Sequence, residues 1–112
     1  MTTTIENLFT GIQKPENEPE IFKNIKLMEN ARIELVRSNY NEIPSRIYDQ
    51  EEDEFVMIVK GRAKLLLEQN DKPEIVEINP GDYLTIPRHM KHKVMETEKD
   101  TYWVTVLYSP KK

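Results

Sequence analysis

The sequence predicts one all-β domain that closes into an antiparallel barrel. Short runs of alternating apolar and polar residues recur about every ten residues from residue 31 onward, as expected for half-buried strands. Turn-forming residues separate these runs, which is typical of hairpins. No long helix lies where a parallel crossover would need one, so the strands are expected to pair antiparallel.

Eight segments predict the strands of this domain. In the first, Ile33 and Leu35 fall on one face while Arg32 and Glu34 fall on the other. Gly61 provides a tight corner between two of the strands, and QNDKP, NPGD and EKD are further turn signals. In chain order the segments are ARIELVR, SRIYDQ, EFVMIVK, RAKLLLE, EIVEI, YLTIP, HKVME and YWVTVLY.

The N-terminal part differs from the barrel segments in its residue pattern. We assign residues 1–30 to an extension that packs on the barrel and residues 31–112 to the barrel itself. Pro15 and Pro19 disfavour a long helix in this region. A short helix or turn covering one end of the barrel is predicted in EPEIFKNIKLMEN, where the apolar residues at loosely helical spacing are Ile21, Phe22, Ile25 and Leu27.

Composition limits the class of protein. A length of 112 residues suits one domain, and the absence of cysteine excludes disulfides, thiolate metal sites and cysteine nucleophiles. The formal net charge of −4 argues against a broad basic face for nucleic acid. The longest apolar run, Phe55 to Val59, is too short to cross a membrane, and the first residues do not form a secretory signal. We therefore expect a cytoplasmic protein that binds neither nucleic acid nor membrane.

Two spacings make the barrel prediction specific. Glu54 precedes Gly61 by six intervening residues, and Gly81 is followed by Pro87 and then His92. Tyr48-Asp49-Gln50 precedes the first motif and Trp103 follows the second. Together these segments resemble the two motifs of small single-domain members of the cupin superfamily. The resemblance implies a double-stranded β-helix, the cupin jelly-roll barrel, with a polar pocket inside it.

The resemblance also implies a position for a metal site, whose usual ligands are only partly present here. Cupins typically bind a divalent ion through an HxH pair, the Glu of the first motif and the His of the second. Glu54 and His92 match the last two positions, whereas the HxH pair falls on Tyr48 and Gln50 when three residues separate it from Glu54. The register with four intervening residues places it on Ile47 and Asp49, and neither register restores a histidine.

The chemistry of this donor set leaves two alternatives open. An amide oxygen is a weak neutral ligand, and a phenol with a pKa near 10 binds a metal only when ionised. Gln50, Glu54 and His92 would form a loose site for one divalent ion such as Zn, Mn, Fe or Ni, or equally a metal-free polar pocket. His89 lies three residues before His92 and would either join the metal, with Asp49 as a further alternative, or lie exposed at the rim.

Further pocket residues follow from strand alternation. Arg46, Tyr48 and Gln50 share a face by the period of two, and His92, Val94 and Glu96 share another. Arg46 would either bind a carboxylate or phosphate in the pocket or point outward at a strand end. The acidic residues 49–54 and the basic residues 88–93 are expected to meet across the pocket mouth.

Three functions remain in view at this point. The missing HxH pair favours a small-molecule-binding cupin whose pocket residues are Arg46, Tyr48, Gln50 and His92. The alternative is a metal-dependent enzyme of oxygenase or isomerase type acting on a small polar substrate. A metal-free enzyme would use Tyr48, Glu54 and His92 for proton transfer.

Oligomeric state and the aromatic residues complete the predictions. We expect a homodimer, since a chain this small gains from burying more apolar surface, and Trp103 could contribute a dimer contact. Otherwise the barrel wall and core are the expected place of Tyr102, Trp103, Tyr108, Tyr83, Phe55 and Met57.

Overall fold

The computed structural model describes residues 3–15, 20–38 and 47–109, and this part of the chain forms eight strands and no helix. None of its elements is a helix long and apolar enough to span a bilayer. The strands are β1 (Glu20–Leu27), β2 (Ala31–Ser38), β3 (Asp53–Lys60), β4 (Ala63–Gln69), β5 (Lys72–Ile78), β6 (Tyr83–Ile86), β7 (Lys91–Thr97) and β8 (Thr101–Tyr108).

The strands form two antiparallel sheets that enclose one core. The larger sheet has the order β1-β2-β8-β3-β6 and the smaller has the order β5-β4-β7. Apolar side chains from both sheets pack between them, so the all-β jelly-roll prediction is confirmed. The buried residues of this core are Val36, Val56, Ile58, Ala63, Leu65, Leu67, Ile78, Ile86, Val94 and Trp103.

The helix predicted around residues 20–27 is wrong, because this segment is strand β1. It pairs with β2, and the register shifts between Asn24 and Lys26, which leaves Ile25 as an extra residue. A β-bulge of this kind breaks the period of two. The apolar residues before and after the bulge consequently look helically spaced in the sequence, although backbone pairing along the sheet edge decides the conformation.

Strand β2 is covered on both faces. Leu35 packs with Ile12 and Tyr102 in a second, smaller apolar cluster on the outer face of the large sheet. Residues 8–12 cover this face, and the Arg37 guanidinium donates to the Ile12 carbonyl at 3.2 Å. Glu34 points the other way and lines the barrel interior. The alternation read from the sequence is correct, but the more apolar face of β2 is the outer one.

Positive backbone angles occur where the turns were predicted. Gly61 and Gly81 have φ of 84° and 90°, values that glycine adopts at little cost. Asn70 and Asp71, with φ of 52° and 63°, form a two-residue hairpin loop between β4 and β5. By contrast, the described part of SRIYDQ, residues 47–50, makes only an isolated bridge and is not a strand.

A second bulge changes which residues of β7 face inward. Val94 pairs with Leu65 while Glu96 pairs with Lys64, so Met95 is the additional residue. Glu96 therefore lies on the exposed face, 3.2 Å from the Lys64 ammonium, and does not share a face with His92 as predicted.

The aromatic residues divide between core and surface. Trp103 and Tyr102 are each only 4% exposed, so Trp103 belongs to the wall of the barrel and cannot supply a dimer contact. Tyr83 is 67% exposed and packs against Phe55 on the outside, which makes its predicted core position wrong. The homodimer stays a prediction.

Candidate functional site

The barrel encloses a cavity of about 60 Å³ between the two sheets. Side chains from seven strands and from the 47–50 segment line it, so residues distant in sequence face one space. A wider groove of about 490 Å³ runs beside β5 and β6, but its described lining includes no histidine. The described residues that line the barrel cavity are Glu20, Phe22, Glu34, Val36, Tyr48, Gln50, Glu54, Val56, Leu65, Ile86, His92, Val94, Trp103 and Thr105.

Backbone pairing holds the 47–50 segment against β7. The Tyr48 amide donates to the His92 carbonyl at 2.7 Å, and the His92 amide donates back to the Tyr48 carbonyl at 3.0 Å. The two rings stack with centroids 5.5 Å apart. Just before strand β7, the His89 amide donates to the Gln50 carbonyl at 2.7 Å. These contacts place Tyr48 and Gln50 beside His92 at the cavity wall.

His92 and Glu54 form a buried polar pair inside the cavity. The side chain of His92 is 8% exposed, and its Nε2 lies 3.5 Å from Oε1 of Glu54. On the other side of the ring, Nδ1 lies 2.9 Å from the Met90 carbonyl oxygen. Since that oxygen only accepts, Nδ1 must carry a hydrogen. The ring orientation is therefore fixed with Nε2 directed at the carboxylate.

The surroundings of His92 favour its protonated form. Burial opposes the positive charge, but the hydrogen bonds to Glu54 and to the Met90 carbonyl outweigh it, helped by the carboxylate charges of Glu54 and Asp49. The pKa of His92 consequently lies above its ordinary value of 6.5. The raised pKa means that His92 keeps its second ring N–H to a higher pH than an unperturbed histidine would.

We expect an NMR titration to give a His92 pKa above 6.5 that falls when Glu54 is replaced by glutamine. A proton held more tightly in the folded state stabilises the fold below about pH 6.5, and this contribution is lost as pH rises through the higher pKa of folded His92. Thermal unfolding should therefore show the wild type losing more stability than Glu54→Gln between about pH 6 and pH 9.

The chain has two histidines, so His89→Asn assigns the resonances and serves as the control. Identical His92 titrations in the wild type and Glu54→Gln would contradict the pairing.

Not every predicted site residue reaches the cavity. His89 is exposed, and its Nδ1 lies 2.9 Å from Oδ1 of Asp49 at the rim. The Arg88 amide donates to Oδ1 of Asp53 at 2.8 Å, so the acidic and basic segments do meet as predicted. Neither His89 nor Asp49 lines the cavity, whereas Gln50 does. Arg46 lies outside the described residues.

Solved structures show the same architecture. A candidate mannose-6-phosphate isomerase from Ralstonia eutropha is 30% identical, with a TM-score of 0.81, and the match covers 96% of this chain and 100% of that one. A cupin superfamily protein from Desulfitobacterium hafniense matches 98% of this chain and 94% of its own, at 16% identity and a TM-score of 0.75. The chain belongs to the cupin superfamily.

Other comparisons agree with the fold of this cupin or find no match. KdgF from a Halomonas species matches over 89% of this cupin and 90% of its own chain, at 19% identity and a TM-score of 0.72. No protein-family model and no curated protein matches the sequence.

The donors of this cupin fit a weak divalent metal site. Nε2 of His92 and the Glu54 carboxylate face each other, and Oε1 of Gln50 is buried with no hydrogen-bond partner among the described residues. An ion would give that oxygen a partner, and these three residues would hold it. Within the part of the chain that is described, no three His, Cys, Asp or Glu side chains converge, so the set is poorer than an HxH-containing one.

Sequence reasoning missed two carboxylates of this cupin. Glu20 accepts from the Ser38 hydroxyl at 2.9 Å, and Ser38 accepts from the Trp103 indole N–H at 2.9 Å. Glu34 lies 3.4 Å from the Thr105 hydroxyl. Glu20 was missed because its strand looked helical, and Glu34 because its face of β2 looked solvent-exposed. The alternation in β2 was the available signal, had both faces been considered.

Proposed function

We propose that this cupin binds a small polar molecule in the barrel cavity, with Tyr48, Gln50, Glu54 and His92 as the polar contacts. The observation that carries this proposal is the buried Glu54–His92 pair facing a cavity with apolar walls. Few polar groups converging in a mostly apolar cavity are typical of small-molecule sites. Four of the polar side chains predicted from sequence line this one space.

The size of the cavity limits its ligand. Because one water occupies roughly 10–15 Å³ by this measure, about 60 Å³ admits on the order of four to six non-hydrogen atoms. Larger molecules would need to place only one end inside. This supports a compact ligand or a compact head group of a longer one.

A metal-dependent enzyme is the second candidate function. It is favoured by the fixed direction of His92 Nε2 and by the Gln50 Oε1, for which the described part of the chain supplies no hydrogen-bond donor. A bound divalent ion would act as a Lewis acid on a ligand oxygen. Tyr48, Glu54 and His92 would orient the substrate and exchange protons with it. The Ralstonia eutropha relative, a candidate isomerase, supports a reaction of that type.

Thermal shift assays separate these functions. Binding of small polyols, carboxylates or amines should raise the melting temperature of the wild type saturably, and His92→Gln should weaken that binding about tenfold or more. Lys93→Gln, the adjacent residue outside the cavity lining, is the control and should bind like the wild type.

The metal is tested in parallel. Protein purified without a His-tag is analysed for bound metal and melted with added Mn, Fe, Ni or Zn. A rise in melting temperature lost in Glu54→Gln would favour the enzyme, whereas no binding by any metal or compound would contradict both functions.

A further inference from the structure

We propose that His89 is a positioning residue: its backbone conformation holds Gln50, on the 47–50 segment, in place beside His92 on strand β7. This inference rests on the proposed function, because it concerns how two of the polar contacts of the cavity are held. His89 itself does not belong to the described cavity lining. It therefore acts through its neighbours, by way of one β-turn.

Residues 87–90 form this turn just before strand β7. The Met90 amide donates to the Pro87 carbonyl at 3.1 Å, which closes the turn. Among its four residues only His89 has a positive φ, of 61°. A positive φ at the third position is typical of a type II turn, whereas a type I turn has a negative φ there. The two types differ by a flip of the central peptide group, whose N–H belongs to His89.

The direction of this peptide group decides what the turn contacts. In the structure the His89 N–H donates to the Gln50 carbonyl at 2.7 Å. A flipped peptide group would point this N–H away from Gln50 and lose the bond. At the end of the same turn, the Met90 carbonyl accepts from Nδ1 of His92 at 2.9 Å. One turn thus holds both residues, and the φ of His89 determines whether it can do so.

Gln50 is the cavity residue that depends most on this turn. Two backbone hydrogen bonds between Tyr48 and His92 hold the 47–50 segment at an earlier point. The bond from the His89 amide extends this attachment to Gln50. Oε1 of Gln50 is buried with no hydrogen-bond donor among the described residues, so among these residues the backbone bond is what anchors it. Loss of the turn should therefore displace Gln50 while Tyr48 stays in place.

The side chain of His89 contributes less than its backbone. Its Nδ1 lies 2.9 Å from Oδ1 of Asp49, and the two side chains are 60% and 44% exposed. Ion pairs between exposed groups stabilise a fold only weakly. Histidine and asparagine adopt a positive φ more readily than most residues, whereas a β-branched residue with such an angle is an outlier. Position 89 should accordingly accept glycine or asparagine but not valine.

His89→Val and His89→Gly separate the conformation from the side chain, since both remove the imidazole but only glycine accepts the positive φ. In NMR hydrogen exchange, corrected for intrinsic rates, the amide of residue 89 should exchange at least about tenfold faster in His89→Val and within about twofold of the wild type in His89→Gly. The Nδ1–H of His92, followed at about pH 6, should show the same contrast. His89→Ala is a milder replacement that keeps the comparison available if His89→Val does not fold.

Asp71→Val is the control for backbone strain. Asp71 has a φ of 63° in the loop between β4 and β5 and is not part of the described cavity lining, so valine there adds the same strain elsewhere. It should lower the melting temperature as His89→Val does, without changing exchange at residue 89 or at the His92 ring. For any polyol, carboxylate or amine that binds the wild type, His89→Val should weaken binding about threefold or more, whereas Asp71→Val and His89→Gly should not.

Equal exchange at residue 89 in His89→Val and His89→Gly would overturn the inference. Equal effects of His89→Val and Asp71→Val on the His92 ring proton, or unchanged ligand affinity in His89→Val, would overturn it as well. The exchange measurements use the protein without ligand. If no compound binds the wild type, the proposed function fails, while the exchange comparison still decides whether the conformation of His89 holds the two residues.

Discussion

Replacing Gly61 by alanine is expected to destabilise the protein by about 3–5 kcal/mol. A methyl group at this position would lie 2.8 Å from Cα and 2.9 Å from Cβ of Thr101. Thr101 is fully buried, and its hydroxyl donates to the Glu98 carbonyl at 2.8 Å, so it cannot move aside. The φ of 84° adds the strain of a left-handed conformation.

Gly81 provides the matched control. Its φ of 90° is similar, but a methyl group added there meets no atom within 4 Å. Gly81→Ala should therefore cost only about 1–2 kcal/mol, the backbone term alone. Chemical denaturation of the two variants separates steric overlap from strain. Equal losses would show that the contact with Thr101 contributes nothing.

These glycines explain why the sequence could predict that Glu54 and His92 face one cavity. Turn positions with positive φ admit few residue types, so the spacing of Gly61 and Gly81 constrains where the strands begin and end. Strand alternation then directs Glu54 and His92 inward. Both side chains do line one cavity, although 37 intervening positions separate them in the chain. Turn positions and strand alternation, both local properties of the sequence, were sufficient to predict that these two side chains face inward.

The inward-facing residues of β1, β2 and β7 depend on bulges and tertiary contacts, which the sequence of a single strand does not reveal. Whether Glu34 or Leu35 faces the interior is decided by residues 8–12, which cover the outer face of β2 and bury Leu35 there. Bulges at Ile25 and Met95 shift the alternation by one residue, and neither has a distinctive sequence signal. The predicted helix and the inward Glu96 were both wrong for this reason.

His89 illustrates a partial success. The structure gives His89 a φ of 61°, a left-handed conformation that glycine adopts more readily than other residues. The glycine-like conformation turns its side chain to the rim, 60% exposed, where it contacts Asp49. The sequence left two alternatives open for His89, a metal ligand or an exposed rim residue, and the backbone conformation leaves it outside the described cavity lining.

Trp103→Ala should cost about 3–5 kcal/mol, because the indole fills the core between the sheets as well as forming the cavity wall. Its Nε1 donates to Ser38, which is fully buried and donates in turn to Glu20. The chain of hydrogen bonds links β8, β2 and β1. Losing the ring removes both packing and this link, and the free energy of unfolding in urea measures the total.

A double-mutant cycle separates the link from the packing. Ser38→Ala leaves the buried indole N–H without an acceptor and should cost about 1–3 kcal/mol. Trp103→Phe keeps an aromatic ring but has no N–H to satisfy, so Ser38→Ala should cost less in that background by about 1 kcal/mol or more. Additive losses would contradict the hydrogen bond. Because Trp103 also faces the cavity, a coupled result means that the residues which order the cavity wall are the same ones that attach the edge strand β1.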